Sequence, residues 1–131
     1  MKLGLMLADD YLFISRVQGY AKDAAASIKA VRHPETLLDL ARTLLPGGVL
    51  IDLHIDGLEI GPMVERLHRL NPKPFVLGYG SHVDVASLKK AREAGCDLVL
   101  PRSKFVEDLG TALPGWLGVG QELNLPDDPG G

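Results

Sequence analysis

The chain alternates short apolar runs with longer segments whose apolar residues recur every three or four positions. Nearly continuous apolar runs predict strands that are covered on both faces, and the helical spacing predicts amphipathic helices. The predicted strands are residues 2–8, 27–31, 49–53, 75–79 and 97–100. The predicted helices are residues 11–25, 36–45, 57–70, 84–94 and 103–113.

Strand and helix alternate five times, which predicts an α/β protein built from five βα units. Parallel crossovers are right-handed, and helices must cover both faces of a parallel sheet. The expected fold is therefore a doubly wound (βα)₅ sandwich with a five-stranded parallel sheet. Five strands in about 113 residues fit the flavodoxin-like strand order 2-1-3-4-5.

The length of 131 residues predicts one domain, which we place at residues 1–113. The remaining segment, residues 114–131, has a different composition, because eight of its eighteen residues are Gly or Pro. Such a segment is typical of a partly disordered C-terminal extension. We expect Trp116 and Leu117 to dock on the body of the domain.

Composition and charge exclude several classes of protein. Fourteen basic and seventeen acidic residues give a net charge of −3, which argues against a nucleic-acid partner. No stretch approaches the roughly 20 apolar residues that cross a bilayer, and the N-terminus lacks a targeting pattern. The single cysteine, Cys96, forms no internal disulfide and is expected to be buried and inert. These features predict a cytoplasmic protein without a membrane partner.

Three carboxylates follow neighbouring strands of the predicted sheet. Asp9 and Asp10 come after the first strand, and Asp52 lies within the apolar run VLIDL of the third. Ligands bind at the carboxyl ends of parallel strands, and carboxylates that converge there repel unless a cation neutralises them. Carboxylate oxygens suit Mg²⁺. A single Asp before a helix would otherwise be interpreted as a helix cap.

Over residues 2–113 these features resemble the receiver domains of two-component response regulators, of the chemotaxis-regulator type. The resemblance rests on LADD, VLIDLHIDGLEI and AREAGCDLVLPRSKF. It implies that Asp52 is a phosphoacceptor and that Asp9 and Asp10 hold Mg²⁺ together with Asp52. It also implies that the backbone carbonyl of His54 completes the ligands.

The sequence departs from receivers in the half of the site that senses the phosphoryl group. Counted from Pro74, the receiver Thr or Ser slot falls on Tyr79, followed by Gly80 and Ser81. A phenol reaches further than a short hydroxyl. The lysine slot after the fifth strand falls on Arg102, with Lys104 as the nearest lysine, and a guanidinium does not simply replace an ammonium.

The first hypothesis is a stand-alone receiver-like module of a phosphorelay, not an enzyme, that signals through protein contacts. Its partner would be a sensor histidine kinase or another signalling protein, and the sequence leaves the oligomeric state open. One alternative is a pseudo-receiver that docks a partner without phosphorylation. Another is a small-molecule or nucleotide binder, with its ligand near Tyr79 and Arg102.

Overall fold

The computed structural model describes residues 2–118 and contains five parallel strands that form one sheet. The strands are β1 (Lys2–Leu7), β2 (Ala26–Val31), β3 (Gly48–Asp52), β4 (Phe75–Gly80) and β5 (Leu98–Pro101). They lie in the order 2-1-3-4-5, and every neighbouring pair is parallel. The predicted (βα)₅ fold and strand order are confirmed.

A helix follows each strand. The helices are α1 (Tyr11–Asp23), α2 (Pro34–Leu44), α3 (Ile60–His68), α4 (Val85–Glu93) and α5 (Arg102–Trp116). The start of α3 lies three residues after its predicted position at Gly57, because Gly57 has a φ of +77°, which a right-handed helix excludes. None of these helices, all within residues 2–118, is long and apolar enough to cross a membrane.

The sheet separates two apolar layers, because successive side chains of a strand point to opposite faces. The layer beneath α2, α3 and α4 contains the strand residues Leu5, Leu7, Val49, Ile51 and Val76. The layer beneath α1 and α5 contains Met6, Leu50, Leu77 and Tyr79. Asp52 lies two positions after Leu50 and pairs in register with Tyr79, so its side chain belongs on the α1 and α5 side.

Helix α5 continues past Leu113, where the sequence predicts its end. Pro114 removes one backbone donor, but the helical bond from the Leu117 N–H to the Leu113 carbonyl still forms at 3.0 Å. The buried stripe of the helix continues to Trp116, whose ring stacks on that of Phe105 with the ring centres 5.3 Å apart. Trp116 and Leu117 are buried, as expected. Residues 119–131 lie outside the described residues, so disorder of the extension stays a prediction.

Gly48, the first residue of β3, allows the end of α5 to lie directly against the sheet. A Cβ atom built on Gly48 would overlap the carbonyl oxygen of Trp116 and approach the Leu117 backbone. The contact therefore joins backbone to backbone across the amino end of β3, and any side chain at position 48 would separate the two elements.

Candidate functional site

The three predicted carboxylates lie at the carboxyl edge of neighbouring strands. Leu7, the last residue of β1, pairs with Ile51 of β3, so Asp9 and Asp10 follow one strand beside the strand that Asp52 ends. Asp9 and Asp10 are exposed. Asp52 is only 7% exposed and is the one buried charged side chain within residues 2–118.

Asp52 is oriented by the loop that follows it. Its Oδ1 atom accepts a hydrogen bond from the backbone N–H of His54 at 2.9 Å. The bond fixes one carboxylate oxygen against the turn after β3. Burying a carboxylate costs free energy unless polar partners compensate, and this amide is one such partner.

Asp10 has two hydrogen-bond partners. One makes it a helix cap, and the other lies at the acidic edge, the carboxyl ends of β1 and β3 where Asp9, Asp10 and Asp52 lie. Its Oδ1 atom accepts from the N–H of Phe13 at 3.1 Å, which caps α1. Its Oδ2 atom accepts from Nη2 of Arg102 at 3.1 Å. Arg102 begins α5 directly after β5, so this ion pair joins the loop after β1 to the start of α5.

The carboxylates suit Mg²⁺ by their chemistry, since Mg²⁺ binds through one or two carboxylates and keeps several waters. Within residues 2–118, however, no group of three or more His, Cys, Asp or Glu side chains is arranged to hold a metal ion. Asp10 is turned to Phe13 and Arg102 instead. The carboxylates are therefore of the chemical type that Mg²⁺ binds, but Asp10 would have to give up one of its two present partners to become a ligand.

Arg102 and Lys104, the two predicted cations of the site, have separate surroundings. The Arg102 guanidinium carbon lies 4.1 Å from the centre of the Phe13 ring, so the cation covers the face of that ring. Lys104 pairs with Glu107 and Asp108 of its own helix at 3.2 Å each. The bond to Asp108, followed by that to Glu107, raises the pKa of Lys104. The structure thus brings Arg102 to the acidic edge and directs Lys104 along α5.

Tyr79, at the position where receivers have Thr or Ser, pairs in register with Asp52. Its ring, however, lies in the apolar layer beneath α1 and α5. It is 0% exposed and stacks on Phe105 with the ring centres 4.5 Å apart and the planes 11° apart. Phe13 contacts the same ring at 5.5 Å. The Tyr79 hydroxyl has no hydrogen-bond partner in the described part of the chain. Burial raises the pKa of this phenol strongly, and the charge of Asp52 adds to the effect.

Gly80 and Ser81 lie against His54 rather than Asp52. They follow Tyr79 in the part of the chain that is predicted to sense the phosphoryl group. The backbone N–H of Ser81 donates to Nε2 of His54 at 3.2 Å, and the Ser81 hydroxyl accepts from the Val83 N–H. A Cβ atom on Gly80 would lie 3.2 Å from the same imidazole nitrogen. Glycine at position 80 therefore leaves room for the histidine.

The side chain of His54 connects the loop after β3 to the loop after β4, a role that the sequence does not predict. Besides its bond with Ser81, its Nδ1 atom lies 3.6 Å from Oδ2 of Asp84. Asp84 caps α4 and accepts from both the hydroxyl and the N–H of Ser87, and these bonds lower its pKa. The Asp84-x-x-Ser87 spacing is a capping signal in the sequence, but nothing there indicates that His54 would join it.

Two cavities bear on the small-molecule alternative. A cavity of about 580 Å³ lies between α3 and α4, lined by residues such as Leu58 and Lys90. Another of about 570 Å³ lies beside Asp9 and Tyr11. Neither Tyr79 nor Arg102 lines either of them. The full burial of Tyr79 argues against a ligand crevice where that alternative places it.

Cys96 lies before β5, at the sheet edge opposite to the carboxylates, and is half-buried rather than buried. Desolvation, followed by the charge of Asp97, raises its pKa to about 11. At pH 8 the native thiol is expected to react with iodoacetamide on the order of a hundredfold more slowly than an ordinary cysteine, because only the thiolate reacts. The urea-unfolded chain, which has the same single cysteine, is the control. Equal rates in the native and unfolded chains would contradict this prediction.

The chain matches no protein-family model and no curated protein. Solved structures share its fold. A putative response regulator from Chloroflexus aurantiacus has a TM-score of 0.75 and 16% identity, with 89% of this chain and 98% of that one covered. The receiver domain of a putative Luxo repressor protein from Vibrio parahaemolyticus has a TM-score of 0.76 and 15% identity, covering 98% of both chains. The beryllofluoride-activated NtrC4 receiver domain has a TM-score of 0.71 and 14% identity, covering 88% and 99%. At sequence identities of 14–16%, structural similarity shows a shared fold and no more.

Proposed function

We propose, from the premise that this chain has the receiver-domain fold, that it is a signal-transduction module of a two-component phosphorelay with Asp52 as its phosphoacceptor. The observation that carries the proposal is the burial of Asp52 at the end of β3, beside Asp9, Asp10 and Arg102. A carboxylate is rarely buried without a partner of opposite charge, and perturbed carboxylates cluster at functional sites.

In this function the Asp52 carboxylate is the nucleophile. The His54 N–H holds Oδ1, which leaves Oδ2 of Asp52 to form the bond to phosphorus. The donor would be a phosphohistidine of a sensor kinase or another signalling protein. Its nitrogen–phosphorus bond breaks as the new bond forms, and the freed nitrogen takes a proton from water. The protein acts by positioning and by charge, as is general for phosphoryl transfer, and turns over no dissociable substrate.

Asp9, Asp10, Asp52 and the backbone carbonyl of His54 would hold Mg²⁺. When bound, the ion supplies positive charge opposite the phosphoryl oxygens. Among residues 2–118, Arg102 brings a positive charge to the same edge without a metal.

A docking module that is never phosphorylated is the second candidate, and Tyr79 favours it. The slot that carries a short hydroxyl in receivers is filled here by a fully buried ring, whose hydroxyl has no partner among residues 2–118. In this alternative the acidic edge is retained without turnover, and the protein acts through the surface that it presents to a partner.

Beryllofluoride, a phosphoryl mimic, distinguishes the two functions. A structural relative, the NtrC4 receiver, is known in a beryllofluoride-activated form. We expect a saturable, Mg²⁺-dependent shift of the His54 backbone amide in NMR spectra, because that amide is bonded to Asp52. A new fluorine signal of the bound mimic should appear together with it.

Two variants make this test specific. Asp52→Asn should abolish both signals, whereas Asp56→Asn should leave them intact, because Asp56 is an exposed residue of the same loop. If the folded wild-type protein shows neither signal at saturating Mg²⁺, phosphorylation is excluded and the docking function remains.

A further inference from the structure

The acidic edge already contains a cation that belongs to the protein. Nη2 of Arg102 lies 3.1 Å from Oδ2 of Asp10, and both side chains are about half exposed, at 41% and 48%. We propose that Arg102 is the resident counter-ion of this edge and that a divalent cation must displace its guanidinium from Asp10 in order to bind. This inference rests on the proposed function, because it concerns the same carboxylates.

The ring of Phe13 holds the guanidinium in place. An exposed ion pair alone contributes little to stability and leaves both side chains mobile. Here the guanidinium carbon also lies 4.1 Å above the Phe13 ring, which is itself buried and packs against Phe105. A guanidinium stacks flat on an aromatic face while it pairs with a carboxylate, which an ammonium cannot do.

The hydroxyl of Tyr79 is an independent indication that an ion binds at the acidic edge. It is completely buried and has no partner within the described residues. Tyr79 pairs in register with Asp52, and after burial the charge of Asp52 is the largest influence on the pKa of its hydroxyl. A buried donor without a partner needs an explanation, and an ion that binds at this edge is one.

Displacement follows from the two oxygens of Asp10. Oδ1 caps α1 through the Phe13 N–H, and Oδ2 pairs with Arg102. Giving up Oδ1 would remove the cap of α1 and destabilise the helix, so a metal ion is expected to take Oδ2. The guanidinium then loses its carboxylate. Because Arg102 is the first residue of α5, cation binding and the position of the junction between β5 and α5 are coupled, and the coupling is reciprocal.

The test is calorimetric titration of the full chain with Mg²⁺ alone. Arg102→Gln should bind Mg²⁺ about tenfold more tightly than the wild-type protein, because no guanidinium has to leave. The matched control is Arg16→Gln, which removes the same charge from an exposed position of α1. It should change the affinity by less than about twofold, because charges that do not contact the site are screened by salt.

A second measurement separates displacement from a general effect of charge. In the wild-type protein, Mg²⁺ should shift the ring protons of Phe13 in NMR spectra, because the cation above the ring leaves. The shift should be absent from Arg102→Gln.

The outcomes distinguish this inference from the proposed function. Equal affinity gains in both arginine variants, or a Phe13 ring that is insensitive to Mg²⁺ in the wild-type protein, would overturn displacement and leave Mg²⁺ binding intact. Binding by Arg102→Gln alone would support displacement in its strongest form. If none of the three proteins binds Mg²⁺, displacement and the metal part of the proposed function both fail.

Discussion

Replacing Tyr79 with serine is expected to lower the free energy of unfolding by about 3–5 kcal/mol, the range measured when large buried aromatic side chains are truncated. Serine is a residue type that receivers use in this slot, so a comparison by family alone would expect a neutral or improved protein. The structure gives the opposite expectation. Tyr79 is completely buried and stacks on Phe105, so truncation leaves a cavity in the layer beneath α1 and α5. Urea unfolding followed by circular dichroism measures the loss.

Tyr79→Phe is the matched control, because it removes only the hydroxyl. That hydroxyl has no partner among the described residues, so its removal should change the stability by less than about 1 kcal/mol. A cost for Tyr79→Phe as large as that for Tyr79→Ser would mean that the hydroxyl is bonded. The assignment of Tyr79 as a packing residue would then be wrong.

Gly48→Ala is expected to lower the free energy of unfolding by about 3 kcal/mol, as overpacking does when backbone must move. The new Cβ atom would overlap the carbonyl oxygen of Trp116, and neither β3 nor the end of α5 can yield by a side-chain rotation. Displacement of the helix end should also expose the indole. We therefore expect a lower urea midpoint together with a red shift of the Trp116 emission.

Gly19→Ala provides the contrast. Gly19 lies in α1, and a Cβ atom built on it meets nothing within 4 Å. Alanine there should stabilise the protein by roughly 0.5–1 kcal/mol, because it reduces the entropy of the unfolded chain and favours the helix. Wild-type stability and emission in Gly48→Ala would show that the end of α5 does not lie against β3.

The fold could be predicted from sequence because its signals are local and mutually consistent. Apolar runs and helical spacing alternate five times, and chain handedness restricts the arrangements that such a pattern can adopt. The end of α5 was harder to predict. Pro114 and Gly115 are strong signals of a helix end, but the apolar stripe that continues to Trp116 outweighs the loss of one backbone donor.

The candidate site could be predicted only as far as the backbone determines it. Strand order places Asp9, Asp10 and Asp52 at one edge, and register places Tyr79 beside Asp52. The partners of the side chains depend on rotamers and on neighbours that are distant in sequence. Asp10 and Arg102 are ninety-two positions apart, and no local pattern distinguishes Arg102 from Lys104.

The stacked rings of Tyr79, Phe105 and Trp116 restrict how this sequence can change over evolution. Phe105 lies between the other two, with its plane within 11° of each. A lineage that acquired serine or threonine at position 79 would have a cavity beside Phe105 that only a bulkier neighbour could fill. Descendants and ancestors of this protein should therefore change these three positions together, and each single step between the two states would pass through a less stable intermediate.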